Sequence, residues 1–324
     1  MRHAPGIHPK FHKQFHKLPF IVATLVALAT PVALAGPAGA SSWSPRTWTV
    51  QVGSESGDQE IQGMAFLPSE IDINAGDTIK WEANSAEIHT VTFLSEGQSL
   101  ESTQPFDPGV ANELLPRGTN WYDGHSYYNS GLLANVTVPG FPSAKSYSLK
   151  FPDQGDFTYY CLVHGMAMKG MVHVRAAGSD YPHSQSDYNE AAESKAHSIL
   201  EDGYKLDDAL LEQSSNHKVL VGGDDGTAMI MRFVRQTVTV HVGDKVWFVN
   251  NGMGEPHTVT FGTEPANLFA PWGDPTTFSG GQLNSGIMPP GSSFPVTFTK
   301  AGTFDYICGL HDYMGMVGKV IVED

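Results

Sequence analysis

The pentapeptide HTVTF stands at residues 89–93 and again, unchanged, at 257–261 of this 324-residue chain. Its flanks repeat as well. INAGDTIKWEANSAEIHTVTF (73–93) aligns with VHVGDKVWFVNNGMGEPHTVTF (240–261), and SYSLKFPDQGDFTYYCLVHGMAMKGMVHV (146–174) with SFPVTFTKAGTFDYICGLHDYMGMVGKVIV (293–322). The order of segments is the same in both halves, which marks a duplicated unit. Each unit exceeds a hundred residues, so the duplication predicts two domains rather than a solenoid. That constrains the fold more than any compositional figure.

Each unit reads as β structure. Ile71–Ile73, Thr78–Trp81 and Thr90–Phe93 alternate or are rich in β-formers, and Gly-Asp or Gly-Thr pairs at 76–77, 155–156, 243–244 and 302–303 punctuate the runs. Short strands at this spacing predict an all-β fold of two sandwiches. The stretch 184–213 differs. It is rich in Ala, Glu, Leu and Lys, with Ala192, Ala196, Ile199 and Leu200 at helical spacing. It is expected to be a connector with at least one helix.

The N-terminus reads as an export signal. Arg2, Lys10, Lys13 and Lys17 precede an apolar run from Leu18 to Ala35, and small residues follow. Cleavage is expected after Ala35 or Ala40, and the alternative is an uncleaved membrane anchor. The expected organisation is therefore a signal at 1–40, a first domain at 41–178, a helical linker at 179–215 and a second domain at 216–324. The body is expected outside the cytoplasm, periplasmic or extracellular, touching membrane only if the N-terminal segment is retained. Losing residues 1–40 removes four bases and no acid, leaving fifteen basic against 34 acidic side chains, a net charge of −19. Such a surface excludes nucleic acid as a natural partner.

An exported chain with two cysteines first raises a disulfide. The local sequence argues otherwise. After each HTVTF comes a C-x-x-H, Cys161 to His164 and Cys308 to His311, and then methionine. Aligned on the following glycine, the sets are His89, Cys161, His164, Met168 and His257, Cys308, His311, Met316. Zinc is poorly served by a thioether. Two imidazoles, a thiolate and a weak axial methionine describe a blue-copper electron-transfer site. Each cysteine has a complete local set, which leaves none over for a disulfide. Met166 remains an alternative axial ligand in the first half, and Met314 a weaker one in the second, because the Cys-to-Met spacing is seven residues in one half and eight in the other.

These motifs resemble those of the cupredoxins, in particular the plastocyanin/azurin-like copper proteins, in tandem. The resemblance covers most of both halves, through VNNGMGEPHTVTF, the 279–322 segment and their first-half counterparts. It implies Greek-key sandwiches, two type 1 copper ions, and a solvent-edged second histidine (His164, His311) as the electron port to a redox partner protein. The first half departs from the second by an insertion within 95–140 that contains His125, expected to be a surface-loop residue. Copper nitrite reductases and multicopper oxidases share the fold and the tandem plan. They place a histidine beside the type 1 cysteine, whereas here Tyr160 and Ile307 precede the cysteines and Leu162 and Gly309 follow. No H-x-H pair follows residue 40. The expected function is electron transfer rather than catalysis, with copper storage or delivery as the alternative.

Overall fold

Trp48, Val50 and Val52 alternate along the strand Thr47–Glu55, and all three are buried. The same two-residue period buries Ile79 and Trp81 in Thr78–Ala83, and Val246 and Phe248 in Lys245–Asn251. Strands of this kind must cover one face, and the chain does so by stacking sheets into sandwiches. The computed structural model describes residues 43–324. The expected signal segment, 1–40, lies outside the described residues. Among those described, no helix is long and apolar enough to cross a membrane.

The architecture is all-β, two cupredoxin-like sandwiches with a helix between them in sequence. In the first, strands 47–55, 61–67, 78–83 and 146–150 form one layer and 70–74, 92–93, 128–129, 155–161 and 165–175 the other. The second repeats the plan: 218–224, 228–234, 245–251 and 293–297 in one layer, and 237–241, 260–261, 283–284, 302–307 and 317–323 in the other. Each half has its own apolar core. Trp81, Phe93, Phe151 and Tyr159 centre the first, and Phe248, Phe261, Phe298 and Tyr306 the second.

The halves are not beads on a linker. Ile61–Leu67 pairs antiparallel with Ala228–Val234, matching Ile61 to Ile230, Gln62 to Met229 and Gly63 to Ala228. These strands occupy equivalent places in the two halves, each being the second strand of the first hairpin. Two four-stranded layers thereby become one eight-stranded sheet. Pairing of like strands, antiparallel, is the geometry of an isologous dimer fused into one chain. It also pairs two edges that would otherwise be exposed.

The connector helix, Gln185–Gln213, lies across this seam. Ser184 caps it, accepting from the Asp187 backbone N–H while the Asp187 carboxylate accepts from Ser184. Its buried stripe is Tyr188, Ala192, Ile199, Gly203 and Leu210. Ile199 and Leu210 join Ile61, Leu220, Ile230 and Val234, from both halves, in a third core. Arg232 adds a polar tie, donating to the backbone oxygens of Asp58 in the first half and Met314 in the second. Residues 43–324 accordingly form one compact unit.

Candidate metal centres

In each half HTVTF begins at an isolated bridge and enters a short strand, His89 pairing with Leu133 and His257 with Met288. The period-two alternation turns His89, Val91 and Phe93 toward the core, all of them buried. The strands Gly155–Cys161 and Gly302–Ile307 run up to the cysteines, and the C-x-x-H turn brings the second histidine back over the sulfur. Cys161 and Cys308 are both free and buried, so the disulfide is absent.

The two sites match closely. The Nδ1 atoms of His89 and His164 are 3.1 Å apart, as are those of His257 and His311. Cys161 Sγ lies 3.2 Å from His164 Nδ1 and 3.9 Å from His89 Nδ1; Cys308 Sγ lies 3.5 Å from His311 Nδ1 and 3.8 Å from His257 Nδ1. Three soft or borderline donors converge in each half, at separations close to the roughly 3.3–3.7 Å that metal–nitrogen and metal–sulfur bonds of ~2.0 and ~2.3 Å require. The donor chemistry and the spacing fit a copper ion.

A second layer holds these groups. The Thr90 backbone N–H donates to Cys161 Sγ at 3.3 Å, and that of Thr258 to Cys308 Sγ at the same distance. The threonine hydroxyls accept from the backbone of Leu162 and Gly309, both at 2.8 Å, locking each cysteine loop to its histidine strand. Thr90 and Thr258 are thus positioning residues that the repeated HTVTF already displayed.

Gly53 and Gly222 escaped the sequence reading. Both have positive φ, +77° and +69°, and a Cβ at either would stand 2.6 or 2.5 Å from the Nε2 of His89 or His257. Each sits where the first hairpin of its half slips register. The spacing of a glycine in the first hairpin of each repeat was the available signal.

The methionines separate. Met168 and Met316 are buried, in the same cores as Cys161 and Cys308 respectively. Met166 is 61% exposed, which removes it from the interior of the first site. Met314 is buried, but against the core of the first half. His125 is on the surface, its ring held by the Asp123 backbone oxygen at 2.8 Å.

The expectation of solvent-edged histidines is overturned. The His164 side chain is only 1% exposed and His311 7%. The reason is the seam: pairing the equivalent hairpins turns the two C-x-x-H loops toward each other. His164 and His311 both line one cavity of about 740 Å³ between the halves. Residues of the first-half insertion, Pro105, Phe106 and Val138, form part of its wall. The Tyr313 hydroxyl crosses to the Ala86 backbone oxygen at 3.2 Å.

The sites differ electrostatically. Burial pushes the Cys161 thiol up, but the His164 charge and hydrogen bonds outweigh it, so its pKa falls below the usual value. Burial pushes His164 down, yet Cys161 and Glu255 hold it well above the ordinary histidine value. In the second half burial prevails, raising Cys308 to about 11 and lowering His311 to about 4. Burial, aided by the Glu255 charge, raises Glu87 to about 8.

The fold and paired donor sets define a copper-binding cupredoxin in duplicate, and comparison with known proteins supplies the family. The model for copper binding proteins of the plastocyanin/azurin family matches residues 51–175 and again 217–323. The chain belongs to that blue-copper electron-transfer family. Plastocyanin of Sambucus nigra is 33% identical over 106 residues, covering 33% of this chain and 99% of the relative. Plastocyanin B'/B'' of Nicotiana tabacum is 37% identical over 108 residues, with the same coverage. Among solved structures, a Cu(I) form of a mutant amicyanin is 29% identical, covers 33% of this chain and 80% of its own, and has a TM-score of 0.24.

Proposed function

We propose that this chain is an exported, two-domain blue copper protein that transfers electrons and is not an enzyme. One type 1 copper ion per half is held by His89, Cys161, His164 and Met168 and by His257, Cys308, His311 and Met316. The observation that carries this reading is the convergence of the same Nδ1, Nδ1 and Sγ atoms twice, with the imidazole nitrogens 3.1 Å apart each time. When bound, copper supplies a one-electron couple with an intense thiolate-derived colour.

The chain's own contribution is rigidity. Thr90 and Thr258 brace the sulfurs, the glycines beneath His89 and His257 let the rings seat close to the backbone, and the sandwich fixes all donors before any electron moves. Little rearrangement then accompanies a change of oxidation state. Burial of His164 and His311 favours electron transfer over storage or delivery, since a released ion would have to leave through the interdomain cavity. A redox partner protein is the proposed counterpart, and the apolar cavity, rather than an open histidine edge, is the proposed approach to the sites. The N-terminal segment supports export.

A copper count with a visible spectrum on the purified mature protein tests this. Two copper ions per chain and an intense blue colour are expected, with Cys161→Ser and Cys308→Ser each removing one ion and about half the colour. Zinc in preference to copper, or ready loss of Cu(I) to a modest chelator on reduction, would overturn the reading.

A further inference from the structure

Two glutamates, one from each half, converge on the outer nitrogen of His164. Its Nε2 lies 3.4 Å from Glu255 Oε1 and 4.0 Å from Glu87 Oε1. The side chains are 1%, 7% and 1% exposed for His164, Glu255 and Glu87. The two carboxylates belong to neither copper set, and His164 meets them with Nε2, the ring nitrogen opposite the one that faces Cys161.

Their arrangement is poorly explained as a hydrogen-bonded network. Neither His164 Nε2 nor Glu87 Oε2 makes any hydrogen bond, although both are buried. At 3.4 and 4.0 Å the contacts exceed the 2.7–3.2 Å of an N–H···O bond. Leaving such groups buried and unpaired is costly, the more so when they are charged. The two carboxylates also repel each other where water is scarce.

One type of occupant resolves all of this. Around a tetrahedral ion with bonds of about 2.1 Å, neighbouring ligand atoms stand about 3.4 Å apart. The His164–Glu255 separation is that distance, and Glu87, at 4.0 Å, needs to close by roughly half an ångström. We propose that Glu87, His164 Nε2 and Glu255 bind a third metal ion, a divalent first-row transition ion, between the two halves. Two oxygens and one imidazole nitrogen suit zinc, copper(II) or a neighbour in that series. His311 lines the same cavity.

The duplication explains how the site arose. Glu87 and Glu255 each stand two residues before the histidine of HTVTF, in EIHTVTF and EPHTVTF. One such glutamate beside one copper site would be a single carboxylate. Pairing the halves through equivalent strands brings the two copies to one point, so the site exists only in the fused pair. Where copper occupies Nδ1 of His164, as in the reading above, the ring joins the two ions as an imidazolate, its Nε2 proton passing to solvent.

The test uses the mature full chain, freed of metal and refilled with Cu(II) until the thiolate colour saturates. It is then equilibrated with Zn(II), dialysed and counted by elemental analysis. One zinc per chain is expected to remain beside the two copper ions. Glu255→Gln and Glu87→Gln are expected to lose that zinc while saturating at the wild-type colour. Replacing zinc by a third Cu(II) in the wild-type protein is expected to lower the electron paramagnetic resonance signal below the counted copper, because the imidazolate couples two spins. Absence of the extra zinc, or its equal retention by wild type and both variants, would overturn the proposal, as would a fully uncoupled signal from a wild-type protein holding three Cu(II). The copper reading fails separately: no thiolate colour forms, and the zinc difference between wild type and Glu255→Gln still decides the third site.

Discussion

Gly222 lies directly beneath the imidazole of His257, so close that a Cβ there would stand 2.5 Å from Nε2 and 3.1 Å from Cε1. Gly53 bears the same relation to His89, with Ser85 Oγ also in the way. Both have positive φ, where an L side chain is strained by roughly 1–2 kcal/mol before any clash. The contact is with a ring locked in a buried site, not with the free end of a flexible chain.

Gly222→Ala is therefore expected to displace His257 while leaving His89 alone. The expected outcome is loss or marked weakening of one copper ion of two, about half the blue colour, and a stability loss of at least about 1–2 kcal/mol. Gly53→Ala is expected to do the converse. Copper counts, the visible spectrum and denaturant unfolding check both.

The exposure of Met166 and the burial of Met168 separate two substitutions that the sequence spacing alone left open. Met168→Leu is expected to raise the reduction potential of the first site, because a donor that favours Cu(II) is lost. A tenfold change in relative affinity corresponds to about 59 mV for one electron. Met166→Leu is expected to leave the potential unchanged. Voltammetry on a protein carrying Cys308→Ser, so that only the first site is blue, reads each shift without overlap.

Much of this was legible in the sequence. HTVTF and C-x-x-H name the converging donors because their spacing is local: an alternating strand and a tight turn place the side chains wherever the sandwich goes. The helix over 184–213 was legible for the same reason, through a stripe at helical period. The burial of His164 and His311 was not. It depends on Ile61 pairing with Ile230, a contact between two apolar strands whose sequences say only that each wants covering. Glu87 looked like one more acid in an acidic chain, since nothing local shows that Glu255 comes to meet it.

A surface pair gives a pH-dependent prediction away from the metal sites. His173 Nδ1 bonds Asp156 Oδ1 at 2.6 Å across paired strands. That hydrogen bond, above all, raises the pKa of His173. The folded value then exceeds the unfolded one, near 6.5. The stabilisation is fully present below about pH 6.5 and disappears as pH rises through the folded value. The pair is solvent-screened, so its worth is only about 0.5 kcal/mol. Asp156→Asn is expected to cost that amount at pH 5.5 and nothing measurable at pH 9, by chemical unfolding of both proteins at each pH.

The seam predicts how the chain unfolds. Two domains on a passive linker would melt independently, and a variant in one would leave the other's transition in place. Here Ile61 and Ile230 are paired in one sheet, and Ile199 and Leu210 of the connector helix pack into a core drawn from both halves. Burying an isoleucine or leucine is worth about 1.5–3 kcal/mol, so this third core couples the halves by several kcal/mol. The described chain is expected to unfold in one transition seen alike by near-ultraviolet circular dichroism and by loss of blue colour. Gly203 is the place to break the coupling. It lies on the buried face of the helix, where a Cβ would come within 2.4 Å of Ile61 Cγ2. Gly203→Leu has no unfavourable helix propensity of its own, since leucine is a better helix former than glycine by several tenths of a kcal/mol. Its effect must come from pushing the helix off the seam. It is expected to split the transition in two, or to lower the midpoint while both copper sites still load. A single unshifted transition in the variant would mean that the helix rests on the sheet without joining the halves.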